Sequence, residues 1–335
     1  GSISSTQKKS AYYAGFAVSL PEMSGKVVAI TGCTSGTGFV AAKTMLQKGA
    51  HVVMLNRRSE RSASAFLNLT QEFPTAKVTS IDCDLMDFAS IRKAASELKS
   101  KFPNGIDVLC NNAGIMADED KATKDGYDVQ MQTNHLSHFL LTKEVFPLLE
   151  NAAARTGEAR IVNHSSVARA FPNDPFDAKY LGPNGGNLGG NGNSMLFGGA
   201  RWKRYHQSKL ANVIFTLALD QKLRARGSKV KVLCAAPGLA ATNLQTTAHK
   251  TDGMGGGLAT RLTLWLAQSA EDGTMPLLHC IASPGVASGS LYEPTRWSGM
   301  WGLPGLKPLE PVCTRVADQG VLWAESERAV GEFKL

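Results

Sequence analysis

From residue 26 onward, short apolar runs alternate with longer amphipathic stretches, and this rhythm dominates the chain. The apolar runs fall at 26–30, 51–55, 77–81, 106–110, 160–162 and 229–235. They are rich in Val, Ile and Leu and have the length of buried strands. Between them, 39–48, 90–101, 126–149 and 209–223 carry apolar residues at helical spacing. Strands alternating with helices predict a parallel sheet covered on both faces, a doubly wound α/β fold of the Rossmann type. A short strand is expected to return at 290–292.

Two segments break the rhythm. In 182–199, twelve of eighteen residues are Gly or Asn, a composition that predicts a flexible loop within an insert at 167–204. In 242–284, the glycines of 253–257 form a hinge before the amphipathic stretch 258–266, which reads as a lid. Residues 1–24 are polar and then mildly apolar at 11–20. They are expected to form an N-terminal extension packed on the body, with contact to a membrane surface as the alternative. The remainder, 25–335, reads as a single domain.

Composition narrows the class. At 335 residues, 43% hydrophobic and 19% charged, the chain is an ordinary soluble globule that can bury a large core. Its net charge of +8 points to an anionic partner. The basic residues are scattered, and the densest group, Arg201-Trp202-Lys203-Arg204, is too short for a nucleic-acid face. Of six cysteines, Cys83, Cys110 and Cys234 lie in or beside strand-like runs, which predicts free buried thiols and a reducing compartment. No Cys/His spacing matches a metal site, and no run approaches a membrane-spanning length. The opening Gly1-Ser2 reads as a cloning scar, so a native leader or anchor stays an open question.

Candidate chemistry clusters at the ends of the apolar runs. Between the first run and the first helix lies Thr31-Gly32-Cys33-Thr34-Ser35-Gly36-Thr37-Gly38. Glycines at this spacing allow a tight turn and close approach to a pyrophosphate, which the next helix's positive end attracts. The second run ends in Asn56-Arg57-Arg58. A ribose 2′-hydroxyl is held here by a carboxylate, a 2′-phosphate by an arginine, so Arg57 and Arg58 favour NADP(H). Farther along, Tyr205-His206-Gln207-Ser208-Lys209 opens a helical run. Four residues apart, Tyr205 and Lys209 share one helix face. A neighbouring cation favours the phenolate and brings a tyrosine pKa of about 10 towards neutrality, making a usable proton donor or acceptor.

Together these residues resemble the short-chain dehydrogenase/reductase superfamily, in its retinol-dehydrogenase-like branch, over about 25–298. The loop Thr31–Gly38 is similar to the family's cofactor loop; Gly32, Thr34, Ser35, Gly36, Thr37 and Gly38 are the contacts this implies. Asp84-Leu85 matches the dipeptide against the adenine, and Asn111-Asn112-Ala113-Gly114 the structural motif ending the fourth strand, with Asn112, Ala113 and Gly114 beside the cofactor. Asn134 stands where the family places a proton-relay asparagine. Val162-Asn163-His164-Ser165-Ser166 matches the catalytic-serine segment, with Ser166 in that role. Pro237, Gly238 and Thr242 match the loop at the nicotinamide end.

The resemblance implies an oxidoreductase interconverting a carbonyl and an alcohol on an apolar small molecule, with Asn134, Ser166, Tyr205 and Lys209 as catalytic residues and no metal. Tyr205 and Lys209 would also touch the cofactor. It further implies membrane-surface association in some members and a homodimer through 126–149 and 209–223. Two alternatives keep the fold: reduction of a carbon–carbon double bond, as in pigment reductases, and a non-catalytic cofactor-binding regulator. One departure stands out, since the thirty-eight residues between Ser166 and Tyr205 exceed the family's usual spacing.

Overall fold

The computed structural model describes residues 8–171, 173–192, 198–239 and 267–335. Eight strands form one sheet in the order β3-β2-β1-β4-β5-β6-β7-β8. These are β1 (Val27–Thr31), β2 (His51–Asn56), β3 (Val78–Asp82), β4 (Val108–Asn111), β5 (Ala159–His164), β6 (Val230–Ala235), β7 (Ser290–Arg296) and β8 (Trp301–Lys307). All neighbours pair in parallel except β7 with β8.

Successive strand residues feed two separate cores. Ala29, Leu109, Ile161 and Val232 enter one, while Val28, Ile30, Val108, Val162 and Leu233 enter the other. The period of two, buried on both sides, is why these strands read as continuous apolar runs. Helices α4 (Phe88–Lys101), α6 (Ser137–Thr156), α7 (Ala200–Ala225) and α9 (Val316–Val330) fill the first core. Helices α2 (Gly36–Gln47), α3 (Glu60–Glu72) and α8 (Ala270–Ala282) cover the second. The strand order reverses between β1 and β4, which opens a crevice beyond their carboxyl ends.

The structure moves several expected boundaries. Helix α7 begins at Ala200, well before the apolar run at 209, because its polar first turns are buried against the site. The expected helix 126–149 starts instead as the short α5 (Val129–Met131), continues through a widened turn at Gln132–Leu136 and runs on as α6. In that turn Ser137 N–H reaches back five residues to the Gln132 carbonyl, a π-bulge of the kind that gathers at functional sites. Helices α3 and α9 and strand β8 were not anticipated. Of the expected lid, 242–266 lies outside the described residues, while 270–282 is the core helix α8 with Leu277, Leu278, Cys280 and Ile281 buried.

The Gly/Asn-rich segment is a loop over its described part, 182–192 and 198–199, and charged side chains anchor it. Asp120 accepts hydrogen bonds from the N–H groups of Leu188 (2.8 Å) and Gly190 (2.7 Å). The fully buried Arg204 donates to the carbonyls of the same two residues. Charged side chains bonding the backbone replace the apolar packing that the composition lacks. The N-terminal extension forms α1 (Tyr13–Ser19). It is fastened to the body by the Asp272 carboxylate, which accepts from the N–H groups of Ala11, Tyr12 and Tyr13.

Candidate active site

β1 delivers the chain into the glycine loop, where Gly32 and Gly36 adopt φ of +73° and +57°, conformations that favour glycine. At Gly38 the constraint is space: a Cβ there would lie 2.2 Å from the Gly32 carbonyl oxygen. The Ser35 side chain does not cap α2, so the helix's first N–H groups and positive end stay directed at the loop. Asn112 fastens this loop to the sheet. Its Nδ2 donates to the Thr31 carbonyl (2.9 Å), and its Oδ1 accepts from Thr37 Oγ1 and His164 Nδ1 (2.9 Å each). Its side chain therefore holds the protein to itself, as does that of Asn111, which donates to Thr142 and Asn163.

A cavity of about 590 Å³ extends from this loop across the strand ends. Gly32 and Thr34 form one wall, Asp84 and Leu85 another, Ala113 and Gly114 the floor towards the reacting end. Arg57 and Arg61 stand exposed at its rim. Asn56 also lines it; the Oδ1 accepts from Cys33 N–H (2.7 Å), while the buried Nδ2 has no partner among the described residues. Backbone cradle, helix end, apolar slot and unsatisfied amide fit a dinucleotide. Arg58 is outside this lining and pairs instead with Asp82 across 3.0 Å of exposed surface.

The reacting end is assembled from three elements. Tyr205 and Lys209 stand one turn apart on α7, and Ser166, two residues beyond β5, acts on the Tyr205 phenol. The adjacent Ser165 faces away, donating to the Lys209 carbonyl (2.7 Å), as the alternation of a strand requires. Asn134 sits in the π-bulge; its Oδ1 accepts from Ile115 N–H (2.8 Å) and its Nδ2 donates to Ser208 Oγ (2.8 Å). A Cβ on Gly114 would lie 3.1 Å from Asn134 Oδ1 and 3.2 Å from Lys209 Nζ, so both polar heads converge above this glycine. Pro237 and Gly238 follow β6 at the same edge of the sheet, where Gly238 (φ +66°) packs on the Met300 carbonyl. Thr242 lies outside the described residues.

Burial governs the charges here. The Tyr205 phenol is pushed up to about 12, with Ser166 acting in the opposite direction, and Lys209 is brought down to about 8. Burial thus acts on the phenol against the lowering expected from its neighbour. Both groups are desolvated, and Lys209 Nζ donates to the His164 carbonyl (3.1 Å) while lying 5.9 Å from the phenol ring's centre. Three histidines under the site are held neutral by burial: His135 at about 3, His138 at about 4 and His164 at about 3. Against the phenol stands a small apolar cluster of Met116, Ala117, Ala168 and Trp202.

Sequence reasoning missed Arg61, which stands in the first turn of α3 just beyond Arg57. It also missed Trp202 and the buried arginines Arg169 and Arg204, whose partners come from distant segments. All six cysteines are free and buried. Among the described residues no group of side chains is arranged to hold a metal ion, and no helix is long and apolar enough to cross a membrane.

A family model described as short chain dehydrogenase matches residues 26–178. Retinol dehydrogenase 13 of Homo sapiens is 31% identical over 317 residues, covering 92% of this chain and 85% of that one. An uncharacterised oxidoreductase of Schizosaccharomyces pombe is 35% identical over 210 residues, and the match spans 62% of this chain and 59% of that protein. Among solved structures, an uncharacterised protein of Mycobacterium paratuberculosis has a TM-score of 0.73 at 30% identity, covering 95% of this chain and 98% of that one. L-sorbose reductase of Gluconobacter frateurii, solved with NADPH and L-sorbose, shares the fold at a TM-score of 0.59 and 22% identity, over 81% of this chain and 95% of its own. The chain belongs to the short-chain dehydrogenase/reductase superfamily, in its retinol-dehydrogenase-like branch. It is an oxidoreductase built for a nicotinamide cofactor.

Proposed function

We propose that this protein is an NADP(H)-dependent oxidoreductase that interconverts a carbonyl and an alcohol on an apolar small molecule, with Tyr205 as general acid and base. The observation that carries the reading is the meeting of Ser166, Tyr205 and Lys209 at one end of the cleft, set against the apolar wall of Met116, Ala117, Ala168 and Trp202. The cofactor, when bound, supplies or accepts the hydride. Ser166 donates a hydrogen bond to the substrate oxygen and steadies the charge that builds there. Tyr205 hands its proton to that oxygen in reduction and removes one in oxidation. The Tyr205 phenol, pushed up by burial, is protonated at neutral pH and so has a proton to donate.

Lys209 is the cation beside the phenolate that remains after proton transfer, and its pKa of about 8 lets it exchange protons near neutrality. Its convergence with Asn134 over Gly114 supports a relay through these two residues. Arg57 and Arg61 at the rim, with Asn56 in place of a carboxylate, support NADP(H) over NAD(H). Glu60 also reaches the rim, but two guanidinium groups accompany it.

The test is oxidation of NADPH and of NADH against a panel of apolar aldehydes and ketones, in the dark, with Tyr205→Phe as control. NADPH-dependent turnover that disappears in the variant is the expected result. Undiminished turnover in Tyr205→Phe would overturn the assignment of the acid, and a preference for NADH would overturn the role of the arginines.

A further inference from the structure

Arg169 lies three residues beyond Ser166, in the 3₁₀ turn Val167–Ala170, with its side chain only 2% exposed. Its guanidinium contacts three separate parts of the fold. Nη1 donates to the Ser166 carbonyl (3.0 Å). Nε and Nη2 grip both oxygens of Glu310 (3.1 and 2.8 Å), and Nη2 also reaches Glu293 (2.9 Å) on β7. The second oxygen of Glu293 is 3.0 Å from Lys307 on β8, so two cations balance two carboxylates. The Arg169 backbone N–H adds a second bond to the Ser166 carbonyl (3.1 Å).

A buried ion cluster is a poor source of net stability, because removing the charges from water offsets most of their attraction. What it does confer is geometry: a planar fork bound on several sides leaves the groups it holds little freedom. Here the held group is the backbone of Ser166, whose hydroxyl acts on the Tyr205 phenol and accepts from Ala168 N–H (3.2 Å). The same cluster reaches the loop after β6. A Cβ on Gly299 would lie 2.3 Å from Glu293, so that carboxylate packs directly beneath the β7–β8 turn. The next carbonyl in the turn, that of Met300, accepts from Leu239 N–H (3.3 Å) beside Gly238.

We propose that Arg169 is the positioning residue for Ser166, fixing the serine relative to Tyr205 by tying its carbonyl to Glu310 and Glu293. The inference rests on the proposed carbonyl chemistry. Arg169→Ala is expected to lower kcat about 100-fold, the cost of a displacement of about 1 Å at a reacting centre, with KM and the Kd for NADPH nearly unchanged. Guanidinium chloride, well below denaturing concentrations, should restore about a tenth of the lost rate in that variant and none in Ser166→Ala. Glu310→Gln, a change at a half-buried partner, provides a second variant if Arg169→Ala does not fold. It should lower kcat about tenfold, again without moving Kd for NADPH.

Wild-type kcat in folded Arg169→Ala, or in Glu310→Gln where the first does not fold, would overturn the proposal. So would a loss that appears in Kd for NADPH and not in kcat, or one that guanidinium does not rescue. Tyr205→Phe measured alongside separates the two levels: if it keeps full activity, the carbonyl reading has failed, whereas if it is inactive and the Arg169 and Glu310 variants are not, only this inference has.

Discussion

At the adenosine end of the cleft, Arg57 and Arg61 stand in solvent at the rim of a wide cavity, whereas at the reacting end Tyr205, Lys209 and three histidines are enclosed by protein. The first end works through exposed charges that salt screens. The second works through charges that burial has moved, the phenol upward and the ammonium downward. In the proposed function the first end recognises and the second transfers the proton. The contrast assigns different sensitivities to the two ends, and each can be measured.

The largest effect belongs to the buried end. Tyr205→Phe removes the proton donor while keeping the ring packed on Trp202, and reduction should slow about 10³-fold with NADPH affinity preserved. An equal loss of affinity would mean that the two ends are not separable. Next comes acid sensitivity. His135, His138 and His164 have folded-state values below the unfolded value of 6.5, so their contribution is present above pH 6.5 and is lost as pH falls towards 4. By pH 5.5 each should have cost about 1 kcal/mol, read as a falling urea midpoint. A midpoint flat over that range would show that these rings accept protons without penalty.

Between the ends, Gly38→Ala forces a methyl group to within 2.4 Å of Asn112 Nδ2 as well as against the Gly32 carbonyl. It should weaken NADPH binding about tenfold or more and destabilise the fold by about 2 kcal/mol. The smallest change is expected at the exposed end. Arg57→Ala should shift the ratio of kcat/KM for NADPH over NADH about tenfold towards NADH, and the shift should shrink as ionic strength rises. A shift insensitive to salt would place Arg57 in a desolvated contact instead.

How much of this was legible in the chain follows from the kind of contact involved. The parallel strands, the glycine loop and the Tyr205/Lys209 pair depend on periodicity and short spacing, which one segment carries by itself. The anchoring of the Gly/Asn-rich loop was hidden because composition reports what a loop lacks in apolar side chains and is silent about Asp120 and Arg204 reaching it from elsewhere. The widened turn around Asn134 was hidden for a related reason. Its hydrogen-bond shift is accommodated by Ile115 and Ser208 on neighbouring elements, not by a residue that interrupts the helical pattern.

By itself, then, the sequence determined the family, the doubly wound sheet, the order of the cofactor-facing motifs and the identity of the Tyr/Lys pair. These follow from alternation buried on both faces and from residues within one helical turn or one tight loop. Only the tertiary structure decided that Ser165 turns away to the Lys209 carbonyl, that Arg57 and Arg61 but not Arg58 line the cavity, and that burial raises the phenol. Each of these depends on what surrounds a side chain in space, and desolvation is set by atoms that arrive from every part of the fold.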